Sequence, residues 1–64
     1  MHDYEIRILN GNRGSLAYVE VLEPSDSRAI WSAKRMAHGR PFEVWRGVDC
    51  VYRSDEPRFL RSVA

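Results

Sequence analysis

The segment Arg40–Gly47 constrains the fold of this chain most, because it places apolar side chains on both faces of one short strand. Pro41 ends the helical pattern that precedes it, since proline cannot continue a helix. In the strand that follows, Phe42 and Val44 point to one face and Trp45 points to the other. One helix covers one face of a small sheet. We therefore expect Trp45 to meet solvent, a partner or a ligand.

The length of 64 residues indicates one domain that can bury little apolar surface. Its composition, 44% hydrophobic and 30% charged residues, is typical of a globular protein. Ten Lys and Arg residues against nine Asp and Glu residues give a net charge of +1, which argues against a strong electrostatic binder of nucleic acid. The sequence has no apolar run of about 18 residues, so we expect neither a membrane span nor a membrane partner.

The only cysteine, Cys50, excludes a disulfide within the chain. A lone thiol is typical of a reducing compartment, so we expect a cytoplasmic location. His2 and His38 lack the spacing of a zinc site. Cys50 lies among apolar residues of a short strand, where a packed thiol is usually inert. The sequence therefore predicts no catalytic, cofactor-binding or metal-ligating residue and no cofactor, and we expect the chain not to be an enzyme.

Four segments have the pattern of strands. Residues 3–10 alternate in polarity, residues 16–22 are rich in Val, Tyr and Leu, and the Gly- and Asn-rich segment 10–14 between them predicts a hairpin turn. Residues 42–46 and 50–53 predict two further short strands. The helix between the second and third strands gives the order β-β-α-β-β.

The helix has recognisable ends. Ser25 is the expected N-cap, the helix runs to about His38, and Gly39 suits the C′ position. The fold class is therefore α+β: a single small domain over 1–64, with an antiparallel sheet and one helix packed on one face. Its core covers about residues 3–53, and 54–64 form a C-terminal tail.

The apolar pattern divides the sheet into two faces. The positions expected between helix and sheet are Tyr4, Ile6, Ile8, Ala17, Val19, Val21, Phe42 and Val44 on the strands and Ala29, Ile30, Ala33, Met36 and Ala37 on the helix. The face opposite the helix is expected to carry Arg7, Leu9, Leu16, Tyr18, Glu20, Glu43, Trp45 and Val51. Its Leu, Tyr and Trp content exceeds what a solvated face needs and is typical of a contact surface.

A second tryptophan, Trp31, lies on the helix about 100° around the axis from Ile30. Two interpretations remain open. The ring either flanks the core, over the third strand or the tail, or forms an exposed anchor beside Lys34, Arg35 and His38.

The segment Gly39-Arg40-Pro41-Phe42-Glu43-Val44-Trp45-Arg46-Gly47, after an Ala-rich helix, resembles a group of short uncharacterised proteins of alphaproteobacterial type. In that group a Glu-Val-Trp-x-Gly element also follows the helix, and a brief final strand closes the chain. The resemblance covers roughly residues 4 to 53. It implies a compact bacterial cytoplasmic domain, and it carries over no functional residues.

The leading functional hypothesis is a non-enzymatic protein-interaction module that forms a homodimer or binds another protein through the face opposite the helix or a sheet edge. The predicted interaction surface consists of Arg7, Leu9, Leu16, Tyr18, Trp31, Trp45 and Arg46. Two alternatives stay open: weak binding of single-stranded nucleic acid through sheet aromatics and arginines, and a small inhibitor or adaptor of a larger machine. Glu5, Glu20 and Glu43 count against the nucleic-acid alternative, because they lie on the same strands and repel phosphate.

Overall fold

The computed structural model describes residues 1–9 and 15–54, except for the side chains of Ser15 and Leu16. The elements are β1 (His2–Leu9), β2 (Ser15–Glu23), α1 (Asp26–Ala37), β3 (Phe42–Arg46) and β4 (Asp49–Arg53). The strands form one antiparallel sheet in the order β2-β1-β3-β4, and α1 packs on one face. The predicted α+β class is therefore confirmed. The predicted hairpin turn and the tail beyond Ser54 lie outside the described residues.

Local sequence signals fix both ends of α1. The side-chain oxygen of Ser25 accepts a hydrogen bond from the N–H of Arg28 at 3.3 Å, which confirms the predicted N-cap. At the other end His38 takes a left-handed conformation with φ 53°, followed by Gly39 with φ 86°. The helix thus ends at Ala37, one residue before the predicted end. A non-glycine residue in this region is uncommon, and here it turns the chain from α1 back toward the sheet.

The central strand β1 pairs with β2 on one side and with β3 on the other. Ile6 lies opposite both Val19 and Val44, and Ile8 lies opposite Phe42. Residues directly opposite in an antiparallel pair share a face. The even-numbered side chains of β1 therefore face α1, and the odd-numbered ones face away.

The core lies between α1 and the two central strands. Its buried members are Tyr4, Ile6, Ile8, Phe42 and Val44 of the sheet and Ala29, Ala33 and Ala37 of the helix. The three alanines follow one another at four-residue spacing, so the helix axis can lie close to the sheet. Val19 and Val21 of β2 and Ile30 of α1 are only partly buried.

Two predicted core positions are wrong. Ala17 lies opposite Ile8 and so on the predicted face, but it is exposed, because β2 is an edge strand. Met36 is 36% exposed, because it lies about 60° around the helix from the middle of the alanine row. The core is therefore narrower than the apolar pattern indicates.

A β-bulge in β4 changes the predicted face of two residues. Val44 lies opposite Tyr52 and Trp45 lies opposite Cys50, so Val51 is an extra residue in β4. Val51 packs against the core, and its predicted position opposite the helix is wrong. Cys50 is exposed, which corrects the expectation of a packed thiol.

Pairing of β3 continues beyond the end of β4. Ser54 donates its N–H to the carbonyl of Phe42 at 2.9 Å and accepts the Phe42 N–H on its side chain at 2.8 Å. Ser54 therefore belongs to the body of the domain and not to the predicted tail. In the part of the chain that the structure describes, no helix is long and apolar enough to cross a bilayer.

The narrow core makes a direct prediction. Replacement of Ile6, which is fully buried, by alanine is expected to lower the free energy of unfolding by about 2–5 kcal/mol, because it removes apolar burial and leaves a cavity. The matched control is Val48→Ala, since Val48 is 91% exposed and its loss should change stability by less than about 0.5 kcal/mol. Urea unfolding followed by circular dichroism measures both. Equal effects would contradict a core centred on β1.

Candidate interaction surfaces

The face of the sheet opposite α1, here called the open face, combines aromatic and charged side chains. The register places on it Asp3, Glu5, Arg7 and Leu9 of β1, Tyr18, Glu20 and Leu22 of β2, Glu43 and Trp45 of β3, and Cys50 and Arg53 of β4. Tyr18 is 63% exposed and Leu22 is 59% exposed. No described element lies over this face, and the side chain of Leu16 lies outside the described set.

Arg7 forms the centre of the open face. Its guanidinium carbon lies 4.5 Å from the ring centre of Trp45 and 5.5 Å from that of Tyr18. Its Nε donates to Glu5 at 2.8 Å, and one terminal nitrogen lies 3.9 Å from Glu43. The hydrogen bond to Glu5 raises the pKa of Arg7, so the guanidinium remains charged while it contacts both rings.

Trp45 is half-buried on this face, between solvent and the core. Its indole N–H donates to Glu43 at 2.9 Å, and Arg7 lies against its ring. Glu43 also lies 3.6 Å from Nε of Arg53. The structure thus brings together the predicted residues Arg7, Tyr18 and Trp45, and it satisfies the polar atom of the indole within the chain.

Charge on the open face is predominantly acidic. Four carboxylates, Asp3, Glu5, Glu20 and Glu43, accompany two arginines in the described part of the sheet. The Glu5 and Glu43 carboxylates are paired with these arginines. Glu20 is exposed at the β2 margin. A polyanion approaching this face would meet more negative than positive charge.

Arg46 does not lie on the open face, so its predicted place beside Trp45 is wrong. Strand alternation turns its side chain toward α1, where it contacts Asp26 at 3.2 Å. The hydroxyl of Tyr4 donates to the same Asp26 oxygen at 2.6 Å. Burial, followed by the hydrogen bond to Asp26, raises the pKa of Tyr4. Arg46 therefore belongs to a structural contact between β1, β3 and the start of α1.

Trp31 occupies a separate surface on α1. It is 50% exposed, and the guanidinium carbons of Arg28 and Arg35 lie 5.0 and 4.9 Å from its ring centre. This exposure agrees with the second of the two interpretations left open by the sequence, whereas the tail, over which the first could place the ring, lies outside the described residues. Sequence reasoning named Arg35 as a neighbour but missed the contact from Arg28. The i−3 and i+4 spacing around Trp31 would have identified both arginines.

Backbone hydrogen bonding shows which groups β2 directs outward. The N–H of Leu9 donates to the carbonyl of Pro41 at 2.8 Å, so odd-numbered residues of β1 bond to the β3 side. Since bonded and non-bonded pairs alternate in an antiparallel ladder, the even-numbered residues of β1 bond to β2. Val19 and Val21 therefore use their N–H and C=O groups inside the sheet. The backbone N–H and C=O groups that point away from the sheet belong to Tyr18, Glu20 and Leu22.

The two edges of the sheet differ in protection. The β4 edge has five residues, contains the bulge at Val51, and begins and ends with the charged residues Asp49 and Arg53. The β2 edge has nine residues, and its pairing with β1 is regular from Ala17 to Glu23. Bulges, charges and short length are the usual devices that block edge pairing. They are concentrated on β4.

Comparison of the chain with protein-family models, curated proteins and solved structures finds no match. The resemblance of the Glu-Val-Trp-x-Gly element to short bacterial proteins stays a prediction. The function is therefore argued from the geometry of the open face, the β2 edge and the outer surface of α1.

The hydrogen bond between Tyr4 and Asp26 predicts a pH dependence. The pKa of Tyr4 lies above its ordinary value of 10.0 in the folded chain, so the folded state holds this proton more tightly than the unfolded state. Its contribution to stability should be complete below about pH 10 and be lost as the pH rises through the raised pKa. Urea unfolding of the natural chain and of Tyr4→Phe between pH 8 and 11.5 measures it. A stability difference that stays constant across this range would contradict the assignment.

The contact of Arg7 with Trp45 predicts a change in quenching. In a Trp31→Phe background, where Trp45 is the sole indole, Arg7→Ala should increase acrylamide quenching because it uncovers the ring. Two exposed cation–π contacts also predict a loss of about 1–2 kcal/mol in unfolding free energy. Arg40→Ala is the control, since it removes one arginine away from both rings. Unchanged quenching in Arg7→Ala would show that another group covers the indole.

Proposed function

We propose that this chain is a non-enzymatic protein-interaction module that forms a homodimer by pairing its β2 edge with β2 of a second copy. The observation that carries the proposal is the set of backbone N–H and C=O groups of Tyr18, Glu20 and Leu22, which point away from the sheet. An exposed strand edge is a template for another strand, and main-chain hydrogen bonds then supply affinity.

Apolar side chains flank this edge on both faces of the sheet. Val19 and Val21 are partly buried on the helix side. Tyr18 and Leu22 are exposed on the open face. A second strand beside β2 would cover both groups at once, so backbone pairing and apolar burial favour the same contact.

A second copy fits this edge because antiparallel pairing of identical strands is self-complementary. A two-fold axis perpendicular to the sheet makes each β2 both donor and acceptor for the other. A chain of 64 residues buries little apolar surface by itself, and self-association is a common source of additional stability in domains of this size. A second copy is also the simplest partner for this edge, because it requires no other molecule.

Glu20 limits how tightly the copies associate. It is the middle residue of the three that direct backbone groups outward, so a two-fold axis near this position brings the two Glu20 side chains together. Like charges directly opposite one another destabilise a strand pair. We therefore propose a reversible dimer.

The alternative of single-stranded nucleic-acid binding through the sheet aromatics is less well supported by this geometry. Base stacking requires accessible ring faces. Arg7 lies against the rings of both Trp45 and Tyr18, and its charge is paired with Glu5. The surrounding carboxylates add repulsion of phosphate.

A proline at the β2 edge tests the proposed homodimer. Glu20→Pro removes an N–H that faces outward, which an edge strand tolerates without loss of a ladder hydrogen bond. We expect this variant to be monomeric in sedimentation equilibrium at concentrations where the natural chain is dimeric, and its circular dichroism should remain that of the folded chain.

Glu20→Gln is the matched control, because it keeps the N–H and removes the charge. We expect it to dimerise more tightly than the natural chain, by roughly tenfold if the two carboxylates oppose one another. A natural chain that remains monomeric at 500 μM, or a Glu20→Pro variant that is folded and still dimeric, would refute pairing through β2.

A further inference from the structure

We infer that the outer surface of α1 binds the phosphate backbone of nucleic acid without sequence preference. This surface, here called the basic helix face, consists of Arg28, Trp31, Lys34, Arg35 and Arg40. The inference is independent of the proposed homodimer, because every residue that it requires lies on one copy and away from the β2 edge.

The net charge of +1 conceals a strong local imbalance. Residues 27–42 contain four Lys and Arg residues and no Asp or Glu. The preceding acid, Asp26, is held by Arg46 and Tyr4 on the side of the helix that faces the sheet. Ion pairs among the described residues involve none of the four cations. Positive charge on this face therefore remains available to an external anion.

Helical geometry directs the face away from the core. Trp31 lies about 160° around α1 from the middle of the alanine row, so it projects almost directly outward. Arg28 and Arg35 lie on one side of the helix with it, and each guanidinium contacts the ring. Stacking on an indole orients a guanidinium while its N–H groups remain free to bind phosphate.

Helix stability explains only part of this charge. Lys34 and Arg35 occupy the last turn, where cations interact favourably with the helix dipole. Arg28 is the third residue of α1, in the first turn, where a cation is unfavourable. The position of Arg28 is instead explained by its contact with the ring of Trp31, which Arg35 also contacts, and by the line of positive charge that Arg28 and Arg35 form.

The dimensions of the face match a polyanion. Arg28 and Arg35 are separated by seven residues, or about 10 Å along the helix. About three phosphates of one duplex strand occupy that length. Beyond the helix, Lys34 and Arg40 line a hollow of about 480 Å³ next to Gly39, which extends the cationic surface past the end of α1.

A membrane surface is a poorer match for the same residues. Helices that lie on a bilayer insert a broad apolar face into the lipid. The apolar face of α1 is buried against the sheet through Ala29, Ala33 and Ala37. Trp31 is the one large apolar side chain directed outward between arginines, and both cation contacts are made to its ring.

Fluorescence anisotropy of a labelled 20-base-pair duplex and of a 20-nucleotide single strand tests the inference. We expect the natural chain to bind the duplex at 50 mM salt and to lose roughly 100-fold in affinity at 200 mM, as four phosphate contacts require. Arg28→Gln/Arg35→Gln should reduce the salt slope by about two and weaken binding at 50 mM by roughly tenfold or more.

The matched control is Arg53→Gln, which removes a positive charge on the other side of the sheet and should change affinity by less than about twofold. Absence of binding at 50 mM salt would overturn the inference. It would also be overturned if Arg53→Gln weakened binding as much as replacement of a single helix arginine. Sedimentation with phosphatidylserine vesicles, in the absence of oligonucleotide binding, would assign the face to a membrane and reject nucleic acid.

Discussion

The close packing of α1 on the two central strands determines the rest of the structure. Ala29, Ala33 and Ala37 let the helix lie near Ile6 and Val44, which are fully buried. A twelve-residue helix with so narrow a contact row buries side chains of β1 and β3 fully, whereas the described apolar side chains of β2 are partly buried or exposed. The β2 margin and the open face of the described sheet are consequently left to other interactions. The proposed homodimer follows from that limited coverage.

Charge is distributed unevenly around this small core. Carboxylates outnumber arginines on the open face, whereas the outer side of α1 carries cations alone. Each surface has an aromatic ring in contact with a guanidinium group, Trp45 with Arg7 and Trp31 with Arg28 and Arg35. The two surfaces differ in whether the arginine charge is neutralised, because Arg7 is paired with Glu5. The same combination of residue types is therefore ion-paired on the sheet, whereas among the described residues no ion pair neutralises the arginines around Trp31.

Local signals in the sequence were sufficient for the element order, the N-cap at Ser25 and most of the core. They act over a few residues, so alternation and helical spacing report them directly. The errors arose where tertiary structure intervened. Val51 and Cys50 each lie on a different face from the one predicted, because a bulge shifts the alternation by one residue. Composition does not reveal a bulge. Ala17 was predicted on the correct face, but its exposure was missed because strand order, which makes β2 an edge strand, depends on contacts between distant parts of the chain. Arg46 was misplaced although its alternation with Val44 was readable from the sequence.

The bulge in β4 has a further consequence for assembly. Strand addition that could occur at both margins of a sheet would propagate into open-ended fibres. Here one margin is interrupted at its middle residue, so it offers no continuous run of backbone groups to an incoming strand. In the proposed assembly, a second copy paired at β2 leaves no equivalent continuous run of backbone groups at β4 of the described sheet. We therefore expect association through the sheet to stop at a pair of chains and not to continue into fibres.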